Sequence, residues 1–257
     1  MLDFQAAGFA LGGLLVLGFA GWLASLARRD VSLVDTLWPL LFLLALVVYV
    51  ATASAPLALR GQIVLALVAV WAARLALHLA WRNHGRPEDR RYAAMRRRND
   101  PGFAWKSVYL VFGLQALLAW VIAAPLMAAA TAQAPLGMLD IAGIALWVFG
   151  FAFEALGDAQ LARFTADPAN RGKVMERGLW RYTRHPNYFG EACVWWGWWL
   201  LAASAGAAWT VFAPLLMTAL LLKVSGVALL EKDIAERRPA YRDYMARTNA
   251  FVPGPPR

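Results

Sequence analysis

Residues 61–105 read GQIVLALVAVWAARLALHLAWRNHGRPEDRRYAAMRRRNDPGFAW, and the change of character near Trp81 decides the fold. The first twenty residues are apolar except for Gln62, Arg74 and His78, which is the length a helix needs to cross a hydrocarbon core of about 30 Å. The rest is crowded with arginine, the mark of the cytoplasmic end of a membrane span.

Working outward, similar apolar runs lie at 4–27, 33–53, 106–130, 137–162, 188–206 and 209–230. With 61–81 they make seven expected spans in an all-α integral membrane bundle, read as one domain over 1–257. The whole chain agrees: 61% of its 257 residues are hydrophobic, 13 are Trp and only 16% are charged, more apolar than a water-facing surface carries. The first run has no basic leader and continues past Gly18 and Gly21, so it reads as a retained span rather than a cleaved signal peptide.

The formal charge of +9 comes from 25 Lys and Arg residues, and these sit on alternate connections. Arg28 and Arg29 follow the first span; Arg82, Arg86, Arg90, Arg91, Arg96, Arg97, Arg98 and Lys106 follow the third; Arg163 to Arg184 follow the fifth; the remainder lie near the carboxyl end. The intervening connections hold Arg60 alone. This predicts an amino terminus outside and a carboxyl terminus in the cytoplasm, which needs an odd number of spans. The basic charge is thus a topology signal with affinity for anionic headgroups or an anionic ligand, and no nucleic-acid partner is expected. Cys193 is the only cysteine and lies inside a span, so neither a disulfide nor a metal cluster is expected. No obligatory protein partner is evident, although Gly8-x-x-x-Gly12 permits a close helix contact.

Two long inner segments, 82–105 and 163–187, concentrate the polar chemistry. The first is bounded by Gly85-Arg86-Pro87 and Asp100-Pro101-Gly102, turn signals that predict a short surface helix, either a topology anchor or a cover over a ligand. The tail 231–249 places Ile234, Tyr241, Tyr244 and Met245 at the spacing of an interfacial amphipathic helix interrupted at Pro239.

Ionisable residues within spans are costly and therefore candidates for function. Trp71, Arg74, His78 and Arg82 recur at helical spacing on the third span; Glu154, Asp158 and Thr165 share a face of the fifth; Asn187 and Glu191 stand at i and i+4 on the sixth; Asp35 opens the second and Lys223 closes the seventh. Simple helix-to-helix pairing, such as Arg74 with Glu154 or Lys223 with Glu191, is the structural alternative. All lie toward the cytoplasmic half, however, and a pocket of cations, amides and carboxylates there suits a large polar anion such as a dinucleotide. The chain has neither a Gly-x-Gly-x-x-Gly turn nor a Walker lysine loop, so side chains of a helical bundle would have to hold it.

The most specific stretch is 170–200, NRGKVMERGLWRYTRHPNYFGEACVWWGWWL. Arg171, Lys173, Arg177, Arg181 and Arg184 can grip phosphates from a loop, and Pro186 resets the backbone before a helix that carries Asn187 and Glu191 on one face. Here the chain resembles the membrane steroid 5-alpha-reductase family, in its bacterial branch, over most of its length and most strongly from Glu154 to Glu191, continuing through Lys223 to Tyr241-Arg242-Asp243-Tyr244. The resemblance implies a seven-span enzyme of the bacterial inner membrane. It would use NADPH, admitted from the cytoplasm, to saturate the C4=C5 bond of a 3-oxo-4-ene steroid or a similar enone lipid drawn from the bilayer.

Carried over position by position, Asn187 and Glu191 match the family's Asn-x-x-Gly-Glu pattern at the nicotinamide end. Asp158 matches a cofactor-pocket Asp, Lys173 a basic residue near the phosphates, and Arg74 an Arg of the third span facing the cofactor. Arg171, Arg184, His185, Tyr188, Lys223 and Tyr241 complete the implied cofactor set. Catalysis would fall to Glu191 with Asp35 and Trp71, which stand where better-known members have a Glu and a Tyr on the substrate ketone. Trp38, Trp71, Trp195 and Trp198 would offer flat apolar walls. Two other readings remain: an S-adenosylmethionine-dependent membrane methyltransferase, whose Arg-His-Pro-x-Tyr is shared but whose paired Glu is here Glu231-Lys232, and a non-catalytic lipid-binding protein.

Overall fold

A computed structural model of the chain describes residues 3–224, 226–231, 234 and 239–256, and among the described residues it is all helix with no strand. Five helices are long and apolar enough to cross a membrane: α1 (Phe4–Arg28), α2 (Leu33–Ala51), α3 (Leu59–Asn83), α5 (Phe103–Ile122) and α7 (Met138–Ala166). Between them lie α4 (Arg90–Asn99) and α6 (Ala124–Ala130). After α7 come α8 (Pro186–Ser204), α9 (Ala208–Val224), α10 (Val227–Glu231) and α11 (Ala240–Arg247).

Where these bounds differ from the expected spans, local chemistry accounts for it. The apolar run 106–130 breaks at Ala123, because Pro125 fits only the first turn of a new helix. α8 falls outside the apolar set because Asn187, Glu191 and four amphipathic indoles dilute its hydropathy, and α9 is shorter than the other five. The short helix expected within 82–105 is α4, with the Asp89 carboxylate accepting from the Arg91 backbone N–H at its start. The amphipathic tail expected over 231–249 is helical at Ala240–Arg247, whereas Lys232, Asp233 and residues 235–238 lie outside the described residues.

The chain divides into two compact units: the first runs to Leu136 and includes Ala205–Ala207, and the second comprises Gly137–Ser204 and the chain from Ala208. In the first, α2 packs against α1 and α3, and α5 against α1. The outward face of α1 stays apolar, with Phe4, Phe9, Leu15, Val16, Phe19 and Leu23 all exposed, as suits a lipid solvent. At one end a cluster of Trp22, Val31, Val34, Tyr92, Phe103 and Phe112 gathers α1, α2, α4 and α5. Trp22 Nε1 donates to the Ala104 carbonyl at 2.8 Å. The opposite end is tied by Arg60, almost wholly buried, whose guanidinium donates to the carbonyls of Ala134 and Pro135 at 3.0 and 2.8 Å. Arg60 is therefore a staple for the α6–α7 connection.

The second unit is organised by the α7–α8 seam. Asp140, Gly143, Trp147, Gly150, Glu154 and Gly157 are buried at alternating steps of three and four, the spacing of a coiled-coil seam. A Cβ on Gly150 would stand 2.6 Å from the Gly190 carbonyl, and one on Gly143 2.8 Å from the Gly197 carbonyl. The two backbones thus touch where only glycine fits. One end of the seam closes with the Ser204 hydroxyl donating to Asp140 at 2.5 Å, and the other opens onto Asp158 and Asn187.

Candidate functional sites

In the second unit, Pro186 starts α8 and places Asn187 in its first turn, where Asn187 Nδ2 donates to Asp158 Oδ1 at 3.2 Å. Beyond that bond the Asn187 amide has an oxygen that accepts and a second N–H that donates. One helical turn along each chain lie Glu191 and Glu154, both buried. The seam therefore carries a line of acceptors: Glu154, Asp158, Asn187 and Glu191.

Immediately before α8 stands a second cluster. Arg184 is buried and makes a two-pronged pair with Glu231, Nε to Oε1 at 2.7 Å and Nη2 to Oε2 at 2.8 Å. His185 Nε2 lies 3.0 Å from Glu231 Oε1, Tyr241 Oη donates to the same oxygen at 3.5 Å, and the His185 ring stacks on Tyr188 at 5.5 Å. Arg184 also donates to the carbonyls of Met245 and Thr248, while its own N–H donates to the Asn249 carbonyl at 2.9 Å. Desolvation pushes the Glu231 carboxyl up, but the hydrogen bonds from His185 and Arg184 outweigh it and hold the pKa down to about 2. Burial and the neighbouring Glu231 charge push the Tyr241 phenol well above its ordinary value, so at neutral pH the cluster pairs an ionised carboxylate with a neutral phenol.

The segment between α7 and this cluster is a basic rim. Arg171, Lys173, Arg177 and Arg181 are exposed, and Trp180 anchors the loop through Nε1 to the Gly157 carbonyl at 3.0 Å. Lys223 is exposed on a π-helical turn at the end of α9.

The first unit has its own polar cluster. Asp35, in the first turn of α2, accepts from Arg91 Nη2 on one oxygen and from the Tyr92 hydroxyl on the other, each at 2.6 Å. Gln115 Nε2 donates to Tyr92 Oη at 3.4 Å, and Gln115 Oε1 is buried without a hydrogen-bond partner among the described residues. Burial and the Asp35 charge hold the Tyr92 phenol well above the usual tyrosine range, so it stays protonated. Trp71 is completely buried against Phe42 at 6.0 Å, with Arg74 one turn further along α3 and half-buried.

The structure thus joins Asp158 with Asn187, and Arg184, His185 and Tyr241 around a common carboxylate, with Tyr188 stacked on His185. It gives Asp35 partners the sequence reading did not assign. Tyr92 and Arg91 were missed as site residues because they belong to a loop helix 56 and 57 residues from Asp35. Glu231 enters the sequence reading only as half of a missing Glu pair, and nothing in the sequence singles it out from Asp233 and Glu236 nearby.

Comparison with known proteins gives a family and a relative. The profile of a family described as protein of unknown function (DUF1295) matches residues 21–248. The Schizosaccharomyces pombe protein described as uncharacterized protein C594.04c is 28% identical over 281 aligned positions, covering 95% of this chain and 79% of the yeast protein.

Proposed function

We propose, for a chain that belongs to the DUF1295 family, a seven-span membrane reductase that saturates the conjugated double bond of an enone lipid, of which a 3-oxo-4-ene steroid is the test case. That family is related to steroid 5-alpha-reductase-like membrane proteins, which supports the reading. The observation that carries it is the second unit's division of labour. Asn187, fixed by Asp158, leads a line of acceptors suited to a carboxamide N–H₂, while the basic rim of Arg171, Lys173, Arg177 and Arg181 on the same unit suits phosphates. One ligand with a neutral amide at one end and phosphates toward the other is a nicotinamide dinucleotide, and the residues fit NADPH. Bound there, NADPH would supply hydride to the β carbon of the enone, with a proton from water completing the saturation at the α carbon.

The chain's own residues have separate tasks. Lys173 and the rim arginines bind phosphate, Asn187 and Glu191 orient the amide end, and the Arg184–His185–Glu231 cluster sets the start of α8. In the first unit, Asp35 accepts on both oxygens, from Arg91 and from Tyr92, and so holds α4 to the start of α2.

Loss of nicotinamide absorbance with NADPH and a 3-oxo-4-ene steroid is the expected signal from purified protein, and Glu191→Ala should abolish it. Unchanged turnover in that variant would sink the assignment. A second reading has its own observation: Arg184 and His185 of the Arg-His-Pro-x-Tyr stretch converge on Glu231, as a methyltransferase using S-adenosylmethionine would employ them. Calorimetry with each cofactor separates the two, because S-adenosylmethionine carries no phosphate for the rim to bind.

A further inference from the structure

The α4 helix has two faces with opposite employment. Inward, Arg91 and Tyr92 engage Asp35, and Arg96 makes a two-pronged pair with Glu88 at 2.6 and 2.9 Å while lying over the Phe103 ring at 4.9 Å. Outward, Arg90, Arg97 and Arg98 are exposed. The neighbouring carboxylates are already committed to the interior. Glu88 also accepts from the Val31 N–H at 3.0 Å, Asp89 accepts from Arg91 Nε at 2.9 Å, and Asp30 accepts from the Ser32 N–H at 2.8 Å.

The helix is held firmly at this depth: the Asp89 N–H donates to Ser32 Oγ at 2.7 Å, and Lys106 donates to the Asn99 carbonyl at 3.1 Å. Beside it, at the ends of α3 and α5, Trp81, Trp105 and Tyr109 are 64%, 70% and 59% exposed. Indoles and phenols bared at helix ends mark the level where hydrocarbon gives way to headgroups. The three outward guanidiniums therefore stand at headgroup level with Asp100, exposed at the end of the helix, as the carboxylate beside them, and the face keeps a net positive charge.

We infer that the outer face of α4 is a binding surface for the phosphates of anionic phospholipids, and that the same helix couples lipid composition to the Asp35–Tyr92 pair on its inner face. The first claim rests only on the membrane reading and is independent of the enone chemistry. An integral protein already has lipid beside it, so the surface acts by enriching anionic headgroups locally, by about fivefold for each arginine at low salt.

The test uses the full chain in nanodiscs of phosphatidylcholine alone or mixed with phosphatidylglycerol, read by amide hydrogen exchange over residues 90–99 and by native mass spectrometry of retained lipid. Anionic discs should slow exchange in α4, and the phosphatidylglycerol retained should exceed its share of the mixture. Replacing Arg90, Arg97 and Arg98 together by Gln should remove both effects, whereas the same charge loss at Arg163, Arg177 and Arg242 should leave them. These arginines are exposed, so the variants keep the fold. Equal exchange in the two discs, or a lipid preference that survives the α4 triple variant, overturns the surface. For the coupling, exchange at the Tyr92 and Arg91 amides must respond to lipid with the outer face, and protection confined to the amides of Arg97 and Arg98 overturns that part alone.

Discussion

Removing the Glu231 carboxylate would leave Arg184 and His185 buried with their principal acceptor gone, and a broken buried ion pair costs about 3–5 kcal/mol. Glu231→Gln should therefore lower the unfolding temperature and loosen the segment from Met245 to Asn249, readable by thermal denaturation and limited proteolysis. The pH dependence has a definite sign. The folded carboxyl titrates at about 2 against an ordinary 4.5, so its contribution is complete above about 4.5 and is lost as pH falls toward about 2. Wild type should lose stability through that window, and Glu231→Gln should lose less. In the first unit, Tyr92→Phe removes the hydroxyl that donates to Asp35. A hydrogen bond to a charged group contributes about 1.5–3 kcal/mol, so the variant should unfold at a lower temperature and exchange the α4 amides faster, read by thermal denaturation and hydrogen exchange. At this scale the sequence was legible where partners share a helix face or one short motif, as with Asn187 and Glu191. It was opaque where a partner arrives through a loop helix, as Tyr92 does, because spacing along the chain carries no trace of that meeting.

Glycine placement governs the element scale. Gly143, Gly150 and Gly157 recur every seven residues along α7, and Gly190 and Gly197 answer them on α8, so the seam follows a 3.5-residue period and the helices coil gently about each other. At Gly150 an added methyl would meet backbone atoms of Gly190 and Val194 and the Cβ of Cys193, none of which can swing aside. Gly150→Ala should cost about 3 kcal/mol or more and displace Asn187 from Asp158, measured as a lower unfolding temperature together with weaker NADPH binding. Gly12→Ala is the contrast, since nothing lies within 4 Å of an added Cβ there. In a helix interior that change should be neutral or stabilising by up to about 1 kcal/mol. Helix existence and approximate ends were legible because apolar length and turn residues are local properties. The π-helical turns at Val108–Gly113 and Leu220–Val224 were not, since they depend on what packs alongside.

For the whole molecule, the position of the carboxyl terminus cannot decide how many helices cross the membrane. Five helices qualify by length and apolarity, and adding α8 and α9 gives seven; both numbers are odd, so both leave the termini on opposite sides. The difference falls on the short connection around Gly206. With seven spans Gly206 lies on the same side as Gln133, and with five it lies on the side of Gly172. A cysteine at each position, in a Cys193→Ala background, would be read by an impermeant maleimide on right-side-out and inverted vesicles. The native thiol is buried, so its replacement should be mild. Seven spans require Cys at 133 and 206 to label from outside and Cys at 172 only from inside. Labelling of 206 together with 172 would take α8 out of the bilayer and so break the α7–α8 seam, and the deep acceptor line assigned to NADPH would fall with it.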